Sequence, residues 1–208
     1  MKKLLILAVA GFLAWKYLPL QQWSERYLQT GVYDEQGNPA VALLVVENCT
    51  ACDDARSYLK RRHIDAEIVS MERDEARWKE LGSPNRVPVL MVGSGTATGF
   101  NDGQFLAVLA EQMGDSALTS FEQRLYARHF DSEGNPRIVL YGTDWCPYCK
   151  KLREDFAANN VDYLDYDVEK PYKQVDLLRT LSIGGYPTVY IGYKRLPGAR
   201  YRDVMKAL

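Results

Sequence analysis

Asp131-Ser132-Glu133-Gly134-Asn135-Pro136-Arg137-Ile138-Val139-Leu140-Tyr141, followed shortly by Cys146-Pro147-Tyr148-Cys149, reads as a turn, a buried strand and a thiol pair in succession. The same succession occurs earlier in the chain. Asp34-Glu35-Gln36-Gly37-Asn38-Pro39 precedes Val41-Ala42-Leu43-Leu44-Val45-Val46, and Cys49-Thr50-Ala51-Cys52 follows. Gly37 and Gly134 are 97 positions apart, and so are Cys49 and Cys146. Two later prolines, Pro88 and Pro187, are 99 apart. Three separate features at nearly one offset mark a duplicated unit. All four cysteines of the chain fall in the two Cys-X-X-Cys pairs, so the chain is organised around thiol chemistry.

Each copy reads as β-α-β-α-β-β-α. In the first, Val41 to Val46 is a continuous apolar run, as expected of a strand buried on both faces. A helix follows from about Cys52 to Arg62, then a strand from Ala66 to Ser70. A helix from Asp74 to Leu81 stops at Gly82-Ser83-Pro84. Pro88 opens a strand over Val89 to Val92, Gly93-Ser94-Gly95 turns the chain, and Gln104 to Gln112 forms the last helix. The matching pieces of the second copy are 137–141, 147–159, 162–166, 172–181, 188–191, 195–197 and 200–208. Between the copies, Leu118, Phe121, Leu125 and Tyr126 recur at helical spacing and predict a connecting helix. Ser24 to Leu28 plays the same part ahead of the first copy. The expected fold is therefore α/β, with two tandem domains, each a four-stranded mixed sheet flanked by helices. The expected boundaries are a first domain at 39–113, a connecting helix and turn at 114–135 and a second domain at 136–208.

The N-terminus has a different character. Met1-Lys2-Lys3 precedes an uncharged apolar run from Leu4 to Trp15. Lys16 interrupts it, and Tyr17-Leu18-Pro19-Leu20 follow. Residues 1–20 read as an apolar helix that acts as a bacterial signal anchor or signal peptide, with 21–38 a short connecting segment. Ala8-Val9-Ala10 resembles a cleavage site but leaves too short an apolar core ahead of it, which favours an uncleaved anchor. The expected location is the bacterial inner membrane, with both domains in the periplasm; secretion into the periplasm after cleavage is the alternative. The 26 basic and 27 acidic side chains nearly cancel, so no electrostatic footprint asks for nucleic acid.

On these residues the chain resembles the thioredoxin superfamily and, within it, the glutaredoxins. The second copy carries the resemblance in Val139-Leu140-Tyr141-Gly142, in Trp145-Cys146-Pro147-Tyr148-Cys149-Lys150-Lys151-Leu152 and in Tyr186-Pro187-Thr188-Val189-Tyr190-Ile191-Gly192. In the first copy, Gly99-Phe100-Asn101-Asp102 resembles the family's glutathione-contacting turn. The resemblance implies cis bonds before Pro88 and Pro187, with Val87 and Tyr186 offering backbone groups to an extended substrate. It makes Asn101 and Asp102 candidate glutathione contacts, with glutathione a co-substrate and no resident cofactor. The second copy departs from the pattern in two places: Thr143 and Asp144 precede its motif, and Gly198-Ala199-Arg200 ends it. Trp145 is either an aromatic rim for protein substrates or a packing residue beside the strand.

The chemistry needs a thiolate, and a cysteine at a helix start ionises more readily than a free one. Cys146 is expected just before its helix, with Pro147 in the first turn, where unpaired amides and the helix dipole favour the anion. Cys146 is then the nucleophile and Cys149 the resolving thiol; Cys49 and Cys52 take those roles in the first copy. Asp53 and Asp54 follow the first pair where Lys150 and Lys151 follow the second, so Cys49 is expected to ionise less readily. A zinc site would set two such pairs closer together, and His63 and His129 have no ligand spacing with any cysteine. Both read as surface or helix-end histidines, and no metal is expected. The function that emerges is a thiol–disulfide oxidoreductase. Its partners would be protein or small thiol and disulfide substrates, an electron donor or acceptor, and the membrane through the N-terminal segment. Two alternatives stand beside it: a redox-silent module that docks a partner protein, and a metal or iron–sulfur carrier.

Overall fold

The computed structural model describes residues 31–170 and 174–208. Residues 1–20, expected to anchor the chain, and Ser24 to Leu28 lie outside them. So do residues 172 and 173, the expected start of a helix. Among the described residues, no helix is long and apolar enough to cross a membrane.

The first unit contains β1 (Val41–Val45), α1 (Thr50–Arg61), β2 (Glu67–Ser70), α2 (Glu75–Glu80), β3 (Val89–Val92), β4 (Gly95–Thr98) and α3 (Asp102–Met113). A 3₁₀ turn, the helix α4 (Ser120–Tyr126) and a second 3₁₀ turn join it to the second unit. That unit contains β5 (Ile138–Gly142), α5 (Pro147–Ala158), β6 (Leu164–Asp167), α6 (Val175–Thr180), β7 (Thr188–Ile191), β8 (Lys194–Pro197) and α7 (Tyr201–Met205). The two sheets have the same order, β2-β1-β3-β4 and β6-β5-β7-β8. In each, the central strand pairs parallel to one neighbour and antiparallel to the other. Leu43 stands opposite Ile68 and Leu90, and its counterpart Leu140 opposite Asp165 and Val189.

The apolar run of β1 follows from burial on both faces. Val41, Leu43 and Val45 point into one core with Cys52, Ala55, Phe105 and Leu109, while Ala42 and Leu44 point into another with Val69, Trp78 and Val89. Alternate residues of β5 divide in the same way. Ile138 and Leu140 meet Leu152, Phe156 and Val204 of their own unit. Val139 and Tyr141 meet Leu177 and Leu181, together with Leu106 and Ala110 of α3 and Leu125 and Tyr126 of α4. The last helix of the first unit thus covers part of the second unit's sheet. α3 is apolar nearly all round because both of its faces are buried.

Three expectations are corrected by these contacts. The helix expected from Gln104 begins at Asp102, because the Asn101 side chain accepts from the Gln104 N–H at 3.1 Å and caps it. Phe121 of the connecting helix is exposed, since Leu118 precedes the helix in extended backbone and the buried face runs through Glu122, Leu125 and Tyr126. His129 is fully buried among Tyr126, Tyr141 and Tyr190. His63 is exposed, just beyond the end of α1, with φ 55°. Val32, in the stretch read as a connector, is buried and bridges to Gly93 at the edge of the first sheet.

Candidate active site

Each thiol pair sits where a central strand ends and a helix begins. Cys49 and Cys146 both occupy the N-cap, with extended backbone, and their sulfur atoms accept the N–H of Cys52 and of Cys149 at 3.1 Å. A sulfur therefore stands where a serine or aspartate oxygen usually caps a helix, at the positive end of the helix dipole. Pro147 fills the first helical position, which has no partner for an N–H to lose. Both pairs are closed as disulfides. Cys52 and Cys149 are inaccessible, Cys146 is 3% exposed and Cys49 is half-buried. Gly142 ends β5 so close to Cys149 that a Cβ there would lie 2.9 Å from its sulfur, which explains glycine at that position.

The bonds preceding Pro88 and Pro187 are both cis. Each of these prolines accepts, through its carbonyl, an N–H from the glycine that ends the following hairpin: Gly99 at 2.8 Å and Gly198 at 2.9 Å. In the second unit this arrangement borders a groove of about 730 Å³. One wall is α5, with Tyr148, Leu152 and Asp155; another is Tyr186 and Pro187; the third is the turn into α7, Gly198 to Arg202. Tyr148, inside the motif, and Trp145, just before it, are 75% and 64% exposed. The Trp145 indole donates to Glu169 at 2.8 Å and meets the edge of Tyr186 at 6.0 Å. It is an exposed rim residue, held upright at two points. Lys150 is exposed, whereas Lys151 pairs with Asp155 at 2.7 Å across the groove wall, so its charge is shared.

The first unit is built differently at the same place. Asp53 pairs with Arg56 at 2.8 Å, Asp54 is exposed, and Phe100 packs edge-on against Tyr58 at 5.8 Å and Phe105 at 5.2 Å. Phe100, Asn101 and Asp102 line a different groove, of about 740 Å³, whose opposite wall is Val175, Leu178, Arg179, Ser182 and Arg195 of the second unit. None of the four cysteines lines either groove; of the two Cys-X-X-Cys motifs, Tyr148 alone reaches one, the groove beside Pro187. Glu169, which holds Trp145, and Arg202, which lines the groove beside Pro187, go unmarked in the sequence. No local pattern marks Glu169, because its partner Trp145 is 24 positions away.

Two four-stranded mixed sheets, each with a helix-capping Cys-X-X-Cys after its central strand and a cis-proline before its third, define a chain of the thioredoxin superfamily. The family profile Glutaredoxin matches residues 138–196. A glutaredoxin-like 8.6 kDa protein in the rubredoxin operon of Clostridium pasteurianum is 31% identical over 72 residues, 34% of this chain and 96% of that protein. A glutaredoxin of Pseudomonas aeruginosa is 30% identical over 64 residues, 30% of this chain and 76% of the relative. Through its second unit the chain belongs to the glutaredoxin family, and with it to the thiol–disulfide oxidoreductases in general. Among solved structures, a protein disulfide oxidoreductase from Aeropyrum pernix aligns over 81% of this chain and 82% of its own, at 16% identity and a TM-score of 0.33. A glutaredoxin from Archaeoglobus fulgidus aligns over 40% of this chain and 98% of its own, at 21% identity and a TM-score of 0.30.

Proposed function

We propose that this protein exchanges dithiols and disulfides with protein or low-molecular-weight thiol substrates through both of its cysteine pairs. One observation carries the reading: the Cys146 sulfur lies 3.1 Å from the Cys149 N–H at the head of α5, beside the Tyr186-Pro187 groove. In the reduced state, the Cys146 thiolate attacks one sulfur of a substrate disulfide. A Cys146–substrate disulfide forms, and the other substrate sulfur leaves as a thiolate that takes up a proton from water. Cys149 then loses its proton and attacks Cys146. The second substrate sulfur leaves, the Cys146–Cys149 disulfide closes, and two electrons have passed from protein to substrate. The reverse sequence oxidises a dithiol substrate. Cys49 and Cys52 perform the same steps in the first unit.

Amide donation at the N-cap and the helix dipole stabilise the attacking anion. The buried Cys149 is shielded from other attackers and meets only a disulfide already held at Cys146. Turbidimetric reduction of insulin by the reduced protein tests this. Cys146→Ser should abolish the contribution of the second pair, and Cys49→Ser that of the first. Full activity in the double variant would remove the oxidoreductase reading from these cysteines.

A further inference from the structure

The two copies carry the same backbone around their thiol pairs but opposite side chains in the groove beside them. At the repeat offsets, Ala51 corresponds to Tyr148, Tyr58 to Asp155 and Phe100 to Ala199. In the second unit, Asp155 and Ala199 are two walls of an open groove that reaches Tyr148 and Pro187. In the first unit both corresponding positions are aromatic and touch each other. The Phe100 ring stands edge-on to Tyr58 at 5.8 Å, is held from below by Phe105 at 5.2 Å and packs against the first core. A ring thus occupies the position that a methyl group leaves open in the other copy.

We propose that Phe100 is the specificity-determining residue of the first site. Its ring, against Tyr58, closes off the space that stays open between Asp155 and Ala199 in the second unit, so that this pair exchanges with half-cystines flanked by small side chains. The second site, with Ala199 in its place, receives a half-cystine whose neighbour is aromatic or long and aliphatic. That side chain would lie against Tyr148, Leu152 and Tyr186, which offer an apolar bed. The inference rests on the reading that both pairs are redox-active, and it assigns them different substrates rather than duplicate ones.

The test uses two full-length chains with one working pair each, Cys146→Ser/Cys149→Ser and Cys49→Ser/Cys52→Ser. Each is assayed for kcat/KM on two peptide disulfides that differ only in having Phe or Ala beside the half-cystine. The second pair should prefer the Phe peptide, and the first should not. Phe100→Ala in the first-pair chain should raise its Phe/Ala ratio by about tenfold, the lower end of what one pocket contact commonly controls. Ala199→Phe in the second-pair chain should lower the ratio by a similar factor. A ratio cancels any general loss of active protein, so a merely structural role for Phe100 would leave it unmoved. Phe100→Leu, which retains part of the core contact, replaces Phe100→Ala if the latter fails to fold. Ratios unchanged by these substitutions at working sites overturn the proposal and leave the oxidoreductase reading standing. A first pair that turns over neither peptide, with or without the Phe100 change, also overturns it. Silence of both single-pair chains overturns the oxidoreductase reading and this proposal with it.

Discussion

At the residue scale, His129 shows how the copies diverged without losing their frame. Its counterpart 97 positions earlier is Val32, whose backbone N–H donates to the Gly93 carbonyl at 2.9 Å. In the second copy the ring nitrogen Nδ1 of His129 lies 2.9 Å from the carbonyl of Gly192, the residue corresponding to Gly93. A carbonyl only accepts, so Nδ1 carries the proton, and Nε2 accepts from the Tyr141 hydroxyl at 2.8 Å. Burial pushes the imidazole pKa down to about 3; the Gly192 bond opposes that and Arg128 adds to it. The ring is therefore neutral in the folded chain, whereas the unfolded chain takes up a proton near pH 6.5. As pH falls below 6.5 the unfolded state gains, down to the folded value near 3, a loss on the order of 4 kcal/mol. Urea midpoints between pH 7 and pH 4 should fall more steeply in the parent protein than in His129→Gln, which should be less stable at pH 7. Parallel pH profiles would show that His129 does not titrate in this way. The comparison is needed because buried carboxylates such as Glu122 also lose stability in acid.

At the scale of elements, α4 is fastened to the first unit by one ion pair. Arg62, at the end of α1, donates to both Glu122 oxygens, at 2.9 and 2.5 Å, and to the Ala117 carbonyl at 2.9 Å. Glu122 also accepts the Thr119 N–H at 2.8 Å, closing a capping box. Burial opposes ionisation of Glu122, but the Arg62 and Thr119 bonds outweigh it and hold the carboxyl below its usual range. Its contribution is thus present above the usual carboxylate range and fades as pH falls through the lowered value. The two side chains are only 13% and 10% exposed, so Glu122→Gln leaves a nearly buried guanidinium without its counter-charge. That should cost about 3 kcal/mol in denaturant unfolding at pH 7; a loss below about 1 kcal/mol, the surface-pair range, would mean that water replaces the carboxylate. This contact joins residues 60 positions apart and leaves no trace in local pattern. What sequence does expose is local: the apolar runs of β1 and β5, the punctuating Gly-Asn-Pro turns and the cysteine spacing, each set by neighbours within a few positions. Asn101 reads in the sequence as a turn residue; only the fold shows that its side chain also caps α3. The cavity beside Pro187 needed three segments from distant parts of the chain, so Tyr148 and Tyr186 were legible individually and their groove was not.

For the whole molecule, the decisive element is α3, which belongs to both cores. Phe105 and Leu109 enter the first, and Leu106 and Ala110 enter the second with Leu118, Leu125, Val139 and Tyr190. A shared apolar cluster of this kind ties two units of a repeat into one cooperative body, since neither can open without exposing the other's surface. The fit is tightest at Gly103, where a Cβ would stand 2.6 Å from the Ser182 Cβ and 3.0 Å from the Arg179 carbonyl. Any side chain there must push the units apart, an overpacking cost of about 1–3 kcal/mol. The parent chain should therefore unfold in a single calorimetric transition. Gly103→Leu should lower the first midpoint and separate the trace into two transitions, one for each unit. A single unshifted transition in the variant would show that the interface yields freely and that α3 does not couple the units. Gly103 also lies three positions after Phe100, at the start of the same helix, so loosening this interface should reach the first site before the second. The insulin activity remaining in a Cys146→Ser/Cys149→Ser chain should accordingly fall when Gly103→Leu is added, while that of the Cys49→Ser/Cys52→Ser chain should fall less. Equal losses at both sites would place the effect in general stability instead of in the helix that the two units share.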